Sequence, residues 1–440
     1  MKRMIATLAS TVLASVALMG AQAQEKEPSK GGHLTSYGFV RTYAVFDTRD
    51  SKAGTADLTY LLPYDKTTNR EGKDIYSNPS FKIHALSSRL GVNFSGYEYG
   101  RTKVSGKVEA DFYLMNGTSA SVRLRQAYAD VVWDSLGYME NVLSFRIGQA
   151  WHPLAEDLPC CINQETGTPF NPFNRSPLVM FTANMSNWWY FKLGAIYPVQ
   201  YLPTGPQGPS ENYVKYSPYP EVYLGMEYSR KGFTAKIGAD MLSIKPRWKS
   251  LTTDNKTYDV GTKVNDRLCL ASPFMFLQYR HGRFCINAKS VFANSGEHLS
   301  LMGGYALYDD SDPFNFRYTP IRSTVSFLSF SYGRKFQFMC MGGYMKNLGT
   351  WNDLKTNYFG FSDPNSIYYY ASGFKNINQM VRATPTLAFN VGGMTIAAEY
   401  NLTMVEYGDV NQLNRRAIPY AGDLHWILNN RTVLMFKFNF

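Results

Sequence analysis

Few residues in this 440-residue chain have the types and spacing that chemistry requires. The six histidines, His33, His84, His152, His281, His298 and His425, fall on different segments, and none has a neighbour at metal-ligand spacing. No HExxH, GxSxG, Walker lysine loop or dinucleotide glycine fingerprint occurs. His152 with Glu156 and Asp157 is the nearest local grouping for acid–base hydrolysis. The five cysteines, Cys160, Cys161, Cys269, Cys285 and Cys340, are odd in number and match no zinc pattern. No cofactor, metal centre or nucleic-acid partner is expected. What remains is charge on alternating segments. Arg41, Arg89, Lys103, Lys107, Arg123, Arg125 and Arg146 fill the first third, with Glu109 and Asp111 among them, and Lys236, Lys289 and Arg382 follow later. A row of such cations facing water would concentrate anions.

The elements that must position these charges read as strands. In "TKVSGKVEADFY", Val104, Gly106, Val108, Ala110 and Phe112 share one parity, and Lys103, Ser105, Lys107, Glu109 and Asp111 share the other. A period of two places the sets on opposite faces. The same split recurs in "VRATPTLAFN" and "MTIAAEYNLT", and no helical period competes. Aromatic residues make up 15% of the chain and charged residues only 18%, with no long apolar run. That combination suits an all-β transmembrane barrel, whose faces alternate between lipid and lumen. Charge at mid-depth on the lipid side would cost about 2–4 kcal/mol per Lys or Arg, so the cations belong inside.

Strand number follows from loop lengths. Alternating runs number about 18, but outer-membrane barrels keep short turns at the periplasmic end and long loops outside. Long connections at 47–80, 152–176, 198–218 and 247–265 and short ones at 96–101, 135–140, 184–187, 229–232 and 280–283 obey this. Assigning "HLSLMGGYALY" to an external loop at 295–319 and "DLHWIL" to one at 408–430 keeps 348–376 outside as well. The count then becomes about sixteen antiparallel strands.

The ends fit export and closure. Lys2 and Arg3, an apolar run and Ala21-x-Ala23 have the layout of a signal peptide over 1–23. A short periplasmic segment at 24–32 and a barrel over 33–440 are expected to follow. The last stretch, "VLMFKFNF", places Leu434, Phe436, Phe438 and Phe440 on one face. Pairing it with the first strand would leave no open edge in lipid.

"HPLAEDLPCCINQETGTPFNPFNRSP" holds five prolines and follows the fifth strand. This loop, about 152–176, is expected to fold into the lumen as a constriction. Glu156, Asp157 and Glu165 would then face the basic wall and set up a transverse field.

"SSRLGVNFSG", "GKVEADFY", "RLRQAYADV", "RIGQAW", "YGRKFQFMCMGGYMKNLG" and "NNRTVLMFKFNF" together resemble the DcaP-like porins of Gram-negative outer membranes. The resemblance spans most of the chain after the signal segment. It implies a sixteen-stranded trimeric barrel with a basic lumen that passes small anionic solutes. The family's basic pore residues correspond to Arg89, Arg123, Arg125 and Arg146. The segment from Gln24 to Gly32 is too short for the coiled coil of some members, so a trimer would form by wall contacts. The expected function is passive diffusion of small, preferably anionic, hydrophilic solutes across the outer membrane, without enzymatic activity. The alternatives are a surface scaffold whose loops bind a partner or polysaccharide, with Tyr368, Tyr369 and Tyr370 suited to that, and a barrel hydrolase.

Overall fold

The computed structural model describes residues 32–54, 59–115, 119–133, 142–162, 166–250, 263–369 and 374–440. The signal segment, Glu165 and Tyr370 lie outside these residues. Sixteen strands close into an antiparallel barrel. They are β1 (His33–Asp47), β2 (Arg89–Tyr99), β3 (Thr102–Met115), β4 (Ser119–Trp133), β5 (Leu143–Trp151), β6 (Arg175–Ser186), β7 (Trp189–Ile196) and β8 (Glu221–Arg230). The second half is β9 (Phe233–Ile244), β10 (Leu268–His281), β11 (Phe284–Asn294), β12 (Arg317–Gly333), β13 (Phe336–Thr350), β14 (Ile377–Val391), β15 (Met394–Tyr407) and β16 (His425–Asn439). Among the described residues no helix is long and apolar enough to cross a membrane, so any crossing is made by strands.

Closure follows from the alternation. β16 pairs with β1 in the register Val40↔Phe438, Tyr43↔Met435 and Val45↔Val433. Phe440 extends the seam: its N–H donates to Gly38 O and its carbonyl accepts from Gly38 N, both at 3.0 Å. A Cβ on Gly38 would meet the Phe440 ring at 2.7 Å and Arg89 O at 2.8 Å, so only glycine fits beneath the ring. Leu434, Phe436, Phe438 and Phe440 all stand exposed on the outer face, as does Val108, where hydrocarbon would cover them.

One connection is shorter than expected, and one wall strand is interrupted. The final strand begins at His425, so "HWIL" belongs to the wall and the loop before it ends at 424. The reason is pairing: Ile427 and Leu428 lie in register with Val405 and Met404. The second wall strand comes in two pieces, because Ser80–His84 pairs with the upper half of β1 and β2 with the lower half. The break between them supplies Ser87 and Ser88, whose hydroxyls accept from Arg41 Nε and Arg41 N, both at 3.0 Å.

Three connections from the same end turn inward. The first contributes a hairpin, Ser51–Gly54 with Thr59–Pro63, whose Tyr60, Leu61 and Leu62 are buried. The third, 152–174, and the sixth, 295–316, supply Leu154, Phe170, Leu299, Leu301 and Met302 to one apolar cluster. That cluster continues onto the inner faces of β11–β15 through Val291, Val325, Phe327, Met341, Met345, Met380 and Val405. One side of the lumen is therefore dry.

Candidate functional site

The inner wall of β2–β5 gathers the charges of the first third. Period-two counting alone would set Gln126 and Asp130 outside once Arg123 and Arg125 are inside. A bulge resolves this: Glu109 pairs with Gln126 while Ala110 pairs with Leu124, leaving Arg125 as the extra residue. Arg125 and Gln126 are both buried and both bond Glu109 Oε1, at 3.0 and 3.2 Å, while Leu124 stays exposed.

Every arginine of this wall meets an acid. Arg123 takes Asp111 through two bonds of 2.9 Å, and Arg125 also bonds Asp111. Arg89 lies 3.4 Å from Glu109, which also accepts from the Tyr37 hydroxyl at 2.8 Å. Arg146 takes Asp130 through bonds of 2.8 and 3.1 Å. Burial separates the partners. The side chains of Glu109 and Asp111 are 3% and 5% exposed, against 18% for Arg89 and 30% for Arg123. Lys107 is half-buried beside the Tyr37 ring, and Lys103 stands exposed near the turn.

Two other inward-facing cations are sealed. Arg41 and Arg382 are 1% and 3% exposed, so they do not line a water-filled path. Arg382 clamps two loops: its guanidinium donates to Leu61 O at 2.6 Å, Thr168 O at 2.8 Å and Thr403 Oγ1 at 2.9 Å. It also faces the rings of Tyr60 and Phe170.

The described residues of loop 152–174 reach the opposite wall. Leu158 O accepts from Asn287, Cys160 N donates to Ser329, Ile162 N donates to Glu399, and Ile162 O accepts from Tyr43. Phe170 rests on Gly343, where a Cβ would come within 2.3 Å of the ring. The loop acids part company. Glu156 reaches back to Arg146 at 3.5 Å. Asp157 turns away from the arginine wall and pairs with Lys236 at 2.5 Å and Lys289 at 3.4 Å, on β9 and β11. It therefore does not oppose the arginines across the lumen. Burial alone would raise its carboxyl pKa, but the two ammoniums outweigh burial and hold it below the usual carboxylate range. Between loop and wall lies a polar cavity of 180 Å³ lined by Asp130, Arg146, Trp151, Glu156 and Lys192, among others.

The hydrolase grouping does not assemble. His152 Nε2 meets Glu221 on β8 at 2.7 Å, not Glu156 or Asp157, and His152 is fully buried. Tyr368 and Tyr369, candidates for a surface contact, pack inward: the Tyr368 ring lies tilted against Tyr305 and Tyr318, and Tyr369 is buried.

No protein-family model and no curated relative matches the sequence. Solved structures do. The outer membrane channel DcaP of Acinetobacter baumannii superposes with a TM-score of 0.61 at 14% identity, over 95% of this chain and all of that one. This chain has the fold of the DcaP channel. OmpT of Vibrio cholerae (TM-score 0.52, 12% identity, 94% of this chain and 100% of its own) and an anion-selective porin from Comamonas acidovorans (0.53, 11%, 93% and 100%) share it. The barrel is thus of the outer-membrane type. At these identities the likeness is one of architecture.

Proposed function

We propose that this barrel is a passive, non-enzymatic channel in the outer membrane, admitting small hydrophilic solutes and favouring anions. The reading rests on the unequal burial of paired charges along β2–β5. Glu109 and Asp111 are sealed while the ends of Arg89 and Arg123 reach water. A solute passing this wall meets guanidinium before it meets carboxylate, and a low-dielectric surround strengthens that preference. Loop 152–174 acts as the constriction, confining the path to the strip between its own edge and β2–β8. The apolar outer rows take the lipid. The neighbours carry names that agree, a channel and an anion-selective porin. A trimer form is named for OmpT of Vibrio cholerae, and we extend a wall-to-wall homotrimer to this chain.

Planar-bilayer recording in a salt gradient tests the reading. The native barrel should give steady ohmic current with a reversal potential on the anion side. The double change Arg89→Gln, Arg123→Gln should move that potential toward the cation side, with Arg41→Gln having no such effect because Arg41 is sealed. A sealed bilayer, or selectivity indifferent to Arg89 and Arg123, would refute it.

A further inference from the structure

We propose that His152, Glu221 and Asp240 form a binding site for a divalent transition-metal ion, with zinc as the prototype. The three residues come from the base of loop 152–174 and from the neighbouring strands β8 and β9. One donor atom from each lies within 4.8 Å of the others, and all three side chains are buried. His152 Nε2 stands 2.7 Å from Glu221 Oε1 and 3.6 Å from Asp240 Oδ1. Nitrogen and oxygen ligands held at about 2.0–2.2 Å from one zinc ion stand about 3.3 Å apart in a tetrahedron. The separations of His152 from the two carboxylates bracket that value.

The carboxylates supply a second, independent observation. Glu221 Oε2 and Asp240 Oδ1 are buried without a hydrogen-bond partner. A buried carboxylate oxygen with no donor is costly, and here two acids share one dry pocket. A single divalent cation that takes Asp240 Oδ1 and both oxygens of Glu221 would satisfy both unpartnered oxygens and cancel both charges. His298, from loop 295–316, supplies outer support. Its Nε2 is 3.1 Å from Asp240 Oδ2 and 3.4 Å from Glu221 Oε1, which leaves Asp240 Oδ1 available to the ion. Hydrogen bonds of this kind orient metal ligands.

One contact works against the site. The Leu154 N–H points at His152 Nδ1 from 3.1 Å. With a metal on Nε2 the ring proton moves to Nδ1, and this contact must open. The Nε2 hydrogen bond to Glu221 is given up as well, so two hydrogen bonds are exchanged for coordinate bonds to a cation, and the turn at Pro153–Ala155 moves with loading. The ion would tie a lumen loop to the wall, with His298 bringing a second loop to the same point. The site is independent of which solute crosses the barrel.

Because the pocket is sealed, the test loads it during folding. The chain is refolded into detergent with Co²⁺ or Zn²⁺ and then desalted. One Co²⁺ per chain, with visible d–d absorption, and a higher unfolding temperature with Zn²⁺ than with EDTA are expected. Asp240→Asn and Glu221→Gln should each weaken cobalt binding at least tenfold, while His84→Asn should retain it. Heat-modified gel migration reports folding of each variant. X-ray absorption at the zinc edge, expected to show one imidazole with oxygen neighbours and no sulfur, reads the site without any substitution. Wild-type protein that refolds yet holds no ion would overturn the proposal in favour of a cluster held by protons. Cobalt that survives the Asp240–Glu221 double change, or a sulfur neighbour at the zinc edge, would overturn it by placing the ion elsewhere.

Discussion

The two sides of this barrel use the same strand alternation for opposite ends. Along β2–β9 the inner face carries arginines, lysines and acids, several of them reached by water. Along β10–β16 the inner face carries Phe274, Phe276, Val291, Val325, Phe327, Met341, Met345 and Met380 together with sealed polar groups such as Lys289, Arg382, Glu399 and Arg431, all buried against loops or neighbouring inner residues. Apolar residues on both parities mean that one face meets lipid and the other must meet protein. Polar residues on one parity leave that face to water. The loops lie toward the second side, where burying their Leu, Phe and Met side chains removes apolar surface from water on both partners.

The comparison breaks most readily at Phe170, which sits on Gly343 and beside Arg382. Phe170→Ala removes a side chain that is 1% exposed, and such losses cost about 3–5 kcal/mol. Hydrogen exchange should show loop 152–174 losing protection while the strands keep theirs, and single-channel conductance should rise. Unchanged exchange in the loop would mean that the polar contacts alone hold it to the dry side.

A smaller effect is expected at Asp157, where the loop meets Lys236 and Lys289. Its carboxyl pKa is lowered in the folded chain. The stability it contributes is present above the ordinary aspartate value of about 3.9 and is lost as pH falls through the lower folded value. Acidification into that window should loosen the loop and change conductance. Asp157→Asn should loosen it at neutral pH, at a cost of about 3 kcal/mol for breaking a buried pair, and should flatten the acid transition. A variant with the wild-type acid profile would show that another group titrates there.

Much of this contrast is legible in the chain. The period of two gives the outward row of Leu434, Phe436 and Phe438, and loop lengths reduce about 18 alternating runs to sixteen wall strands. Three things escape that reasoning for definite physical reasons. The bulge at Arg125 breaks the period by one residue, and only the combined polarity of Arg123, Arg125, Gln126 and Asp130 hints at it. The dry side mixes Val325 and Phe327 with Ser323 and Ser329 on the inner face of β12, a row that does not say which loop covers it. The cluster of His152, Glu221, Asp240 and His298 draws on four separate elements, so no local spacing could reveal it. Sequence spacing finds ligand sets only when they share a turn, strand or helix.

The least disruptive test lies where the two sides meet. Glu156, on the edge of the loop, approaches Arg146 of the wet wall at 3.5 Å, and both side chains are about a third exposed. Such a pair contributes about 0–1 kcal/mol, reduced further by screening, so Glu156→Gln should leave the unfolding temperature almost unchanged. Its electrical effect should exceed its energetic one. With the loop carboxylate neutral, Arg146 keeps only Asp130 as its acid, and the local potential beside the polar cavity becomes more positive. The reversal potential should then move further toward anions, most clearly at low ionic strength, where the Debye length is long. Selectivity that ignores Glu156 at every salt concentration would place the solute path away from the loop edge, nearer the Arg89–Arg123 stretch of the same wall.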